Sequence, residues 1–314
     1  MTDDLLVQHS PVMLAEALQQ LAVKKDGIYL DCTFGRGGHS QGILNQLGAS
    51  GRLLALDRDA DAINSGSAQA MLEDERFTLK HSCFSELGNI VAREQLTGKI
   101  DGILMDLGVS SPQLDNPERG FSFLRDGSLD LRMDSTTGVS ARQWLSTVDE
   151  QDLVKVLFDY GEERFARRIA RAVIEKRLES PITTTGQLAA LIEAAVPIRE
   201  KFKHPATRSF QAIRIEINQE LDELKQGLQQ SVQALKPGGR LVVISFHSLE
   251  DRIVKRFIRD ESGARYNPGK LPIKEADITK GLLKKVGKAL KAGKLEISQN
   301  TRARSAIMRV AERV

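Results

Sequence analysis

The sequence predicts an α/β protein, a parallel sheet with helices on both faces, interrupted by an all-helical insertion. Three observations predict it. Four short apolar runs, Ile28–Leu30, Arg52–Leu56, Phe77–Lys80 and Ile100–Leu104, alternate with stretches of helical period, the pattern of strands joined by crossover helices. From Ser140 to about Leu235 almost everything has helical period. At Leu235 the α/β character returns in LKPGGRLVVISFHS, with a strand at Leu241–Ser245, and Ser305–Ala311 reads as a last strand. The domain boundaries drawn from this are 1–113 with 211–314 for a discontinuous α/β domain, and 114–210 for a helical insertion.

Taken in order, Ser10 and Pro11 read as the N-cap and first position of a helix carrying Val12, Leu14, Ala15, Leu18 and Leu21, with His9 just before it. The stretch GIYLDCTFGRGGHS, Gly27 to Ser40, is a strand breaking into a turn with three glycines. A helix follows over His39–Leu47, so strand, glycine turn and helix aim backbone N–H groups at a ligand, or else make a tight connection and nothing more. The second strand ends in Asp57, twenty-two positions after Gly35. That placement suits an acceptor for ribose hydroxyls, or, with Arg58 and Asp59 following, a helix cap. The third strand leads to the turn His81–Phe84, and the fourth runs into Met105, Asp106 and a turn rich in Gly and Ser.

Past Gly108, residues 114–135 are polar and turn-rich, with Phe121 and Phe123 among Arg119, Arg125 and Arg132. Ser140 caps a helix through Leu145, Asp149 one through Phe158, and Thr184 one through Val196. Between the last two lies a helix carrying Phe165, Ile169, Val173 and Ile174, studded with Arg164, Arg167, Arg168, Arg171, Lys176 and Arg177. Lys201, Lys203, His204 and Arg208 follow in a connection. These cations are either a polyanion-binding face or a solvated one. Tyr266–Lys294, bearing Lys, Gly and Pro, is expected to be a mobile loop or arm.

An apolar fraction of 41% with 28% mixed charge describes a soluble globular protein rather than a disordered one. No run of eighteen apolar residues and no signal-peptide pattern near Met1 occur, so no membrane contact and a cytoplasmic location are expected. Cys32 and Cys83 fit a reducing compartment and form no metal spacing. The net charge of +3 conceals an asymmetry: Arg252–Val314 holds 17 Lys or Arg against 6 Asp or Glu, a surplus of 11 that leaves the remainder at −8. A basic final third points to a polyanionic partner.

The glycine turn and Asp57 specify a nucleoside cofactor without saying which. Two features favour S-adenosylmethionine over a nicotinamide. The third glycine of the dinucleotide pattern is missing, and DLGVSSPQ, Asp106 to Gln113, is similar to the Ser-Pro-Pro-Tyr type of motif that holds an exocyclic base amine. With it, HSPVML, DCTFGRGGHS, DLGVSSPQLD, RGFSF, DLRMD, YGEERFARRIA, FKHPATRSFQAIRI, SFHSLEDR and N-x-RARSA together resemble the bacterial small-subunit ribosomal RNA cytosine-N4 methyltransferases, from about His9 to Arg313.

The resemblance implies a class I S-adenosylmethionine-dependent methyltransferase, Rossmann-like, with a helical substrate domain inserted. It also implies methylation of a cytidine in the decoding region of 16S ribosomal RNA; naked RNA and the assembled small subunit both stay open as the substrate, with the separate helical domain and basic tail favouring the subunit. By the same resemblance Gly37, Gly38 and His39 contact the cofactor, Asp57 its ribose, Phe84 its adenine side, and Asp106 and Gln113 its far end. Acceptors for the amine hydrogens are Asp106, Ser110 or the Ser111 carbonyl before Pro112. Gln113 stands where related amino-methyltransferases carry a base-stacking aromatic, which leaves Phe121, Phe123 or no ring for that role. Neither cysteine follows a proline, which argues against ring-carbon methylation. His247, Glu250 and Asp251 either line a substrate pocket or serve the fold. Oligomeric state stays open, a homodimer included.

Overall fold

The computed structural model describes residues 11–198, 204–264 and 281–314. In chain order the helices are α1 (Leu14–Leu21), α2 (Gly38–Leu44), α3 (Ala60–Ile63), α4 (Gly66–Met71), α5 (Leu87–Arg93), α6 (Ser111–Asp115), α7 (Ala141–Thr147), α8 (Glu150–Gly161), α9 (Ala166–Glu179), α10 (Thr185–Ala195), α11 (Thr207–Asn218), α12 (Glu220–Ala234), α13 (Ser248–Arg259) and α14 (Lys294–Gln299). The strands are β1 (Ile28–Asp31), β2 (Arg52–Asp57), β3 (Phe77–His81), β4 (Ile100–Asp106), β5 (Leu235–Ser245), β6 (Leu283–Lys291) and β7 (Ile307–Arg313). Contacts divide the chain into two units, Met1–Gly108 with Leu221–Val314, and Val109–Glu220. The sequence places those seams at 113/114 and 210/211. They fall elsewhere because Val109 and Leu114 pack into the helical core, and so do Ile213 and Ile217 of α11.

The first unit is a seven-stranded sheet in the order β3-β2-β1-β4-β5-β7-β6. Its first five strands are parallel, with Leu30 beside Leu54 and Ile103. Alternate residues of each strand feed opposite cores, as the two-residue period of a strand requires. Leu53 and Ala55 pack with Ala17, Ile43 and Met71 on one face, whereas Leu54 and Leu56 pack with Leu87, Leu228 and Val254 on the other.

Two expectations are corrected here. The sheet is not wholly parallel, since β7 runs antiparallel to β5 and β6 antiparallel to β7. Part of the expected mobile arm is β6, whose Leu283, Val286 and Leu290 pack inward among five outward lysines or glycines that hide the pattern. Tyr266 and the rest of 265–280 lie outside the described residues. The first helix starts three positions later than Pro11, because Met13 adopts a left-handed φ of 55° and is fully buried. Ser10 and His9 lie outside the described residues, as do Lys201 and Lys203.

In the second unit α7–α11 surround a core of Leu145, Leu157, Ile169, Val173, Leu188 and Phe210. The irregular 114–135 segment is pinned by two buried polar side chains. Arg119 donates to the carbonyls of Arg132 and Met133 at 3.2 and 2.8 Å. Asn218 accepts from Met133 N–H at 2.7 Å and donates to Leu131 and Arg214 carbonyls at 2.7 and 2.9 Å. This holds Leu131 at a left-handed φ of 63°. Among the described residues no helix is long and apolar enough to cross a membrane.

Asn218→Ala orphans the Met133 N–H and the Leu131 carbonyl in a dry site, so it is expected to cost on the order of 3 kcal/mol in urea unfolding. A loss under about 0.5 kcal/mol contradicts the pinning role.

Candidate functional site

Parallel strands present their carboxyl ends to one side of the sheet, and the chain order reverses between β1 and β4, which opens a crevice there. The three central strands all end in aspartate: Asp31 on β1, Asp57 on β2 and Asp106 on β4. Asp31, fully buried, binds the glycine turn to the sheet. Its Oδ1 accepts from Thr33 N–H at 3.0 Å and its Oδ2 from Ser40 Oγ at 2.7 Å. Thr33 Oγ1 in turn accepts from the Asp106 N–H at 2.7 Å. Asp31 is the member that motif reading passes over; the available signal was that three apolar runs end alike, in Leu-Asp, Leu-Asp and Met-Asp.

Asp57 accepts from Gly35 N–H at 2.6 Å and from Asp59 N–H at 2.8 Å. The alternative of a plain cap is thus partly realised, but by Asp59, which accepts from Asp61 N–H at the start of α3. Burial pushes the Asp57 carboxyl up to about 6, more than its two N–H donors pull it down. Asp106 is pushed well above the usual carboxylate range by burial, then by the negative charges of Asp31 and Glu250. Its Oδ1 is buried with no hydrogen-bond partner among the described residues.

The Asp106 Oδ2 lies 3.6 Å from His39 Nδ1. That spacing is within ion-pair range, but burial lowers the imidazole pKa and raises the carboxyl pKa, so it disfavours the charged form of each. The other ring nitrogen, Nε2, is 3.2 Å from the Val12 carbonyl, an acceptor only, which places the ring proton there. Nδ1 is then a lone pair facing Asp106, and the carboxyl proton is what makes that approach favourable. His39 thus positions Asp106 through its side chain, a role the sequence did not assign.

The glycines are required by packing. Gly35 and Gly37 have φ of 57° and 78°. A Cβ at Gly37 would stand 2.7 Å from Met71 Sδ, and one at Gly38 would overlap Pro11 Cγ. The orphaned Asp106 oxygen and three carboxylates at one sheet edge fit a cofactor that carries hydroxyl donors and positive charge, as S-adenosylmethionine does.

The remaining residues predicted from sequence fall elsewhere. Phe84 lies in a 3-10 turn, Phe84–Glu86, with its half-buried ring over Gly227 of α12, where a Cβ would meet it at 2.8 Å. Ser110, Ser111, Pro112 and Gln113 belong to the helical unit and form the start of α6. Gln113, 5% exposed, accepts from Ser110 N–H at 2.9 Å, so its amide oxygen serves the cap. Phe121, 7% exposed, is in the helical core, and Phe123 packs against His204 and Phe210 with ring centroids at 4.7 and 4.9 Å.

In SFHSLEDR, Glu250 accepts from Phe246 and His247 N–H at the start of α13 while its charge reaches Asp106, and Asp251 pairs with Arg309 at 2.7 and 2.9 Å. On α9, Lys176 pairs with Glu179 at 3.2 Å and Arg177 donates to Leu145 and Val148 carbonyls. Arg167, Arg168 and Arg171 are exposed, with no acidic partner among the described residues.

The chain is similar in sequence to known proteins along nearly its whole length. The chain is 56% identical over 307 residues to a ribosomal RNA small subunit methyltransferase H of Pseudoalteromonas atlantica, covering 98% of each chain. It is 58% identical over 301 residues to the protein of that name in Methylococcus capsulatus, covering 96% of this chain and 99% of the other. A solved S-adenosylmethionine-dependent methyltransferase from Aquifex aeolicus aligns over 96% of this chain and 90% of its own at 11% identity, with a TM-score of 0.41 that carries no argument. The MraW methylase family matches residues 6–314, nearly the whole chain. A seven-stranded sheet whose central strands carry a glycine turn and three terminal aspartates belongs, in this chain, to a member of the MraW methylase family.

Proposed function

We propose that this protein methylates the N4 amine of a cytidine in the decoding region of small-subunit ribosomal RNA, using S-adenosylmethionine. The observation that carries the reading is the buried, unpartnered Asp106 Oδ1 at the end of β4, an acceptor waiting for a donor beside the glycine turn. Relatives at 56 and 58% identity named as small-subunit ribosomal RNA methyltransferases support the substrate class.

When bound, S-adenosylmethionine supplies a methyl group already activated as a sulfonium, so the protein's contribution is alignment, worth roughly 7–11 kcal/mol in well-oriented reactions. Asp57 accepts the ribose hydroxyls with the lone pairs that Gly35 and Asp59 leave unused. Gly37, Gly38 and His39 hold the cofactor at the turn, Phe84 on its adenine side, and Gln113 at its far end. Asp106 accepts a hydrogen bond from the N4 amine, which localises the nitrogen lone pair, and the excess proton leaves to solvent or a carboxylate after transfer. Positive charge beside Asp106 favours its ionised form and converts it from donor to acceptor. The Ser110 hydroxyl and the Ser111 carbonyl, fixed by Pro112, accept a hydrogen bond from the other amine hydrogen. The segment 114–210 and the exposed arginines of α9 select the RNA, with the assembled small subunit as the substrate.

Asp57→Ala is expected to weaken S-adenosylmethionine binding by on the order of 1–3 kcal/mol in calorimetry, from unpaired ribose hydroxyls. The wild-type affinity has a pH signature. The fold raises the Asp57 pKa, so the cofactor-free protein favours the protonated form up to about pH 6. Ribose hydroxyls favour the ionised form, so affinity should fall as pH drops through about 6, and Asp57→Asn should flatten that fall. An unchanged affinity in Asp57→Ala contradicts the assignment.

The function itself is tested by mass spectrometry of 16S ribosomal RNA from cells lacking the protein. Loss of N4-methylcytidine from the decoding region is expected. Retention of the modification sinks the reading.

A further inference from the structure

Among the described residues, strand β6 is the outermost strand of the sheet and pairs only with β7. Lys284, Lys285, Lys288 and Lys291 on it are all exposed, and Lys294 and Arg304 just beyond it are exposed as well. Elsewhere in the same unit some basic side chains find acids, Arg76 on Asp74, Lys80 on Glu94, Lys24 and Lys236 on Asp101, Lys225 on Asp222, Arg240 on Glu312 and Arg309 on Asp251. Others, such as Lys25, Arg52, Lys99 and Lys255, find none among the described residues, but those are scattered over different parts of the unit rather than gathered on one strand. The six on and just beyond β6 have no acidic partner among the described residues. Two described acids close in sequence are engaged elsewhere, Glu312 by Arg240 and Glu296 by the Met13 N–H.

Lysines on an edge strand often serve only to deter pairing with another chain. Such a role does not extend to Lys294 and Arg304, which lie off the strand where no ladder edge is open. Lys284 and Lys291 pair with Glu312 and Ile307 of β7, five residues apart, so at about 3.3 Å per residue they are separated by roughly 17 Å, a line of charge rather than a point. A line of unpaired ammonium groups with no aromatic ring between them suits successive phosphates of a nucleic acid backbone and carries no means of reading bases.

We propose that the β6 edge, with Lys294 and Arg304, is a sequence-independent contact for the RNA phosphate backbone, carried by the methyltransferase unit itself. It is separate from the arginines of α9 in the helical unit, and it rests on the reading of this protein as a ribosomal RNA methyltransferase. Each phosphate contact adds about 0.7–0.9 to the slope of log affinity against log salt.

The test uses the full chain. Lys285→Gln/Lys288→Gln/Lys291→Gln and a control, Lys80→Gln/Lys225→Gln, are titrated with small-subunit ribosomal RNA across a salt series, and S-adenosylmethionine binding is measured alongside. The triple variant should bind RNA with a slope shallower by about 2–3 and bind the cofactor as the wild type does, while the control keeps the wild-type slope. A wild-type slope in the triple variant, with RNA still bound, overturns the proposal and leaves the methyltransferase reading intact. Failure of the wild type to bind RNA overturns both. Lysine-dependent capture of phosphatidylglycerol vesicles, with no change in the RNA slope, assigns the edge to a lipid surface and overturns the proposal too.

Discussion

Three acidic side chains held at one end of a parallel sheet are the constraint on which this protein's site depends. Each is on a different central strand, so the strand register that builds the two cores also sets the distance between the acids. Asp31 spends its charge on Thr33 and Ser40 and thereby shapes the glycine turn. Asp57 and Asp106, less well compensated, have raised pKa values, and burial is the largest cause for both. A fold that only sought stability would not keep two such groups together; a binding site for a cationic nucleoside gains from them, because the ligand brings the charge and hydroxyl donors they lack.

His39 refines that arrangement. With its proton committed to the Val12 carbonyl, its Nδ1 can approach Asp106 comfortably only while the carboxyl is protonated. The pair therefore holds Asp106 in place in one protonation state and leaves it free to change state when positive charge arrives. The glycines beside it are demanded by Met71, Phe34 and Pro11, so the turn is shaped by packing before any ligand enters.

Much of this was legible in the sequence, for physical reasons that differ by element. Strands β1, β2, β4 and β5 are buried on both faces and read as plain apolar runs; Ser140 and Thr184 announced their helices through capping boxes, each with a Gln three residues on. β6 was not legible, because an edge strand may face water on nearly every side and its lysines mask Leu283, Val286 and Leu290. The start of α1 was missed because Ser-Pro is a good local cap that tertiary burial of Met13 overrides. Within the site, spacing and resemblance point to Gly37, Gly38, Asp57 and Asp106 as candidates. Asp31 and the His39 side chain were not legible, since their roles consist of hydrogen bonds to residues that only the fold brings near. The SFHSLEDR motif shows the converse: a motif dense in ionisable groups that caps a helix and ties β7 to α13.

The central claim is that Asp106 is neutral in the cofactor-free protein and ionises when the cofactor binds. Infrared difference spectroscopy at pH 8, above the Asp57 transition, measures it directly. Adding S-adenosylmethionine should remove a protonated-carboxyl band that is missing from Asp106→Asn. A band that persists on binding, or none in the cofactor-free wild type, would contradict the account.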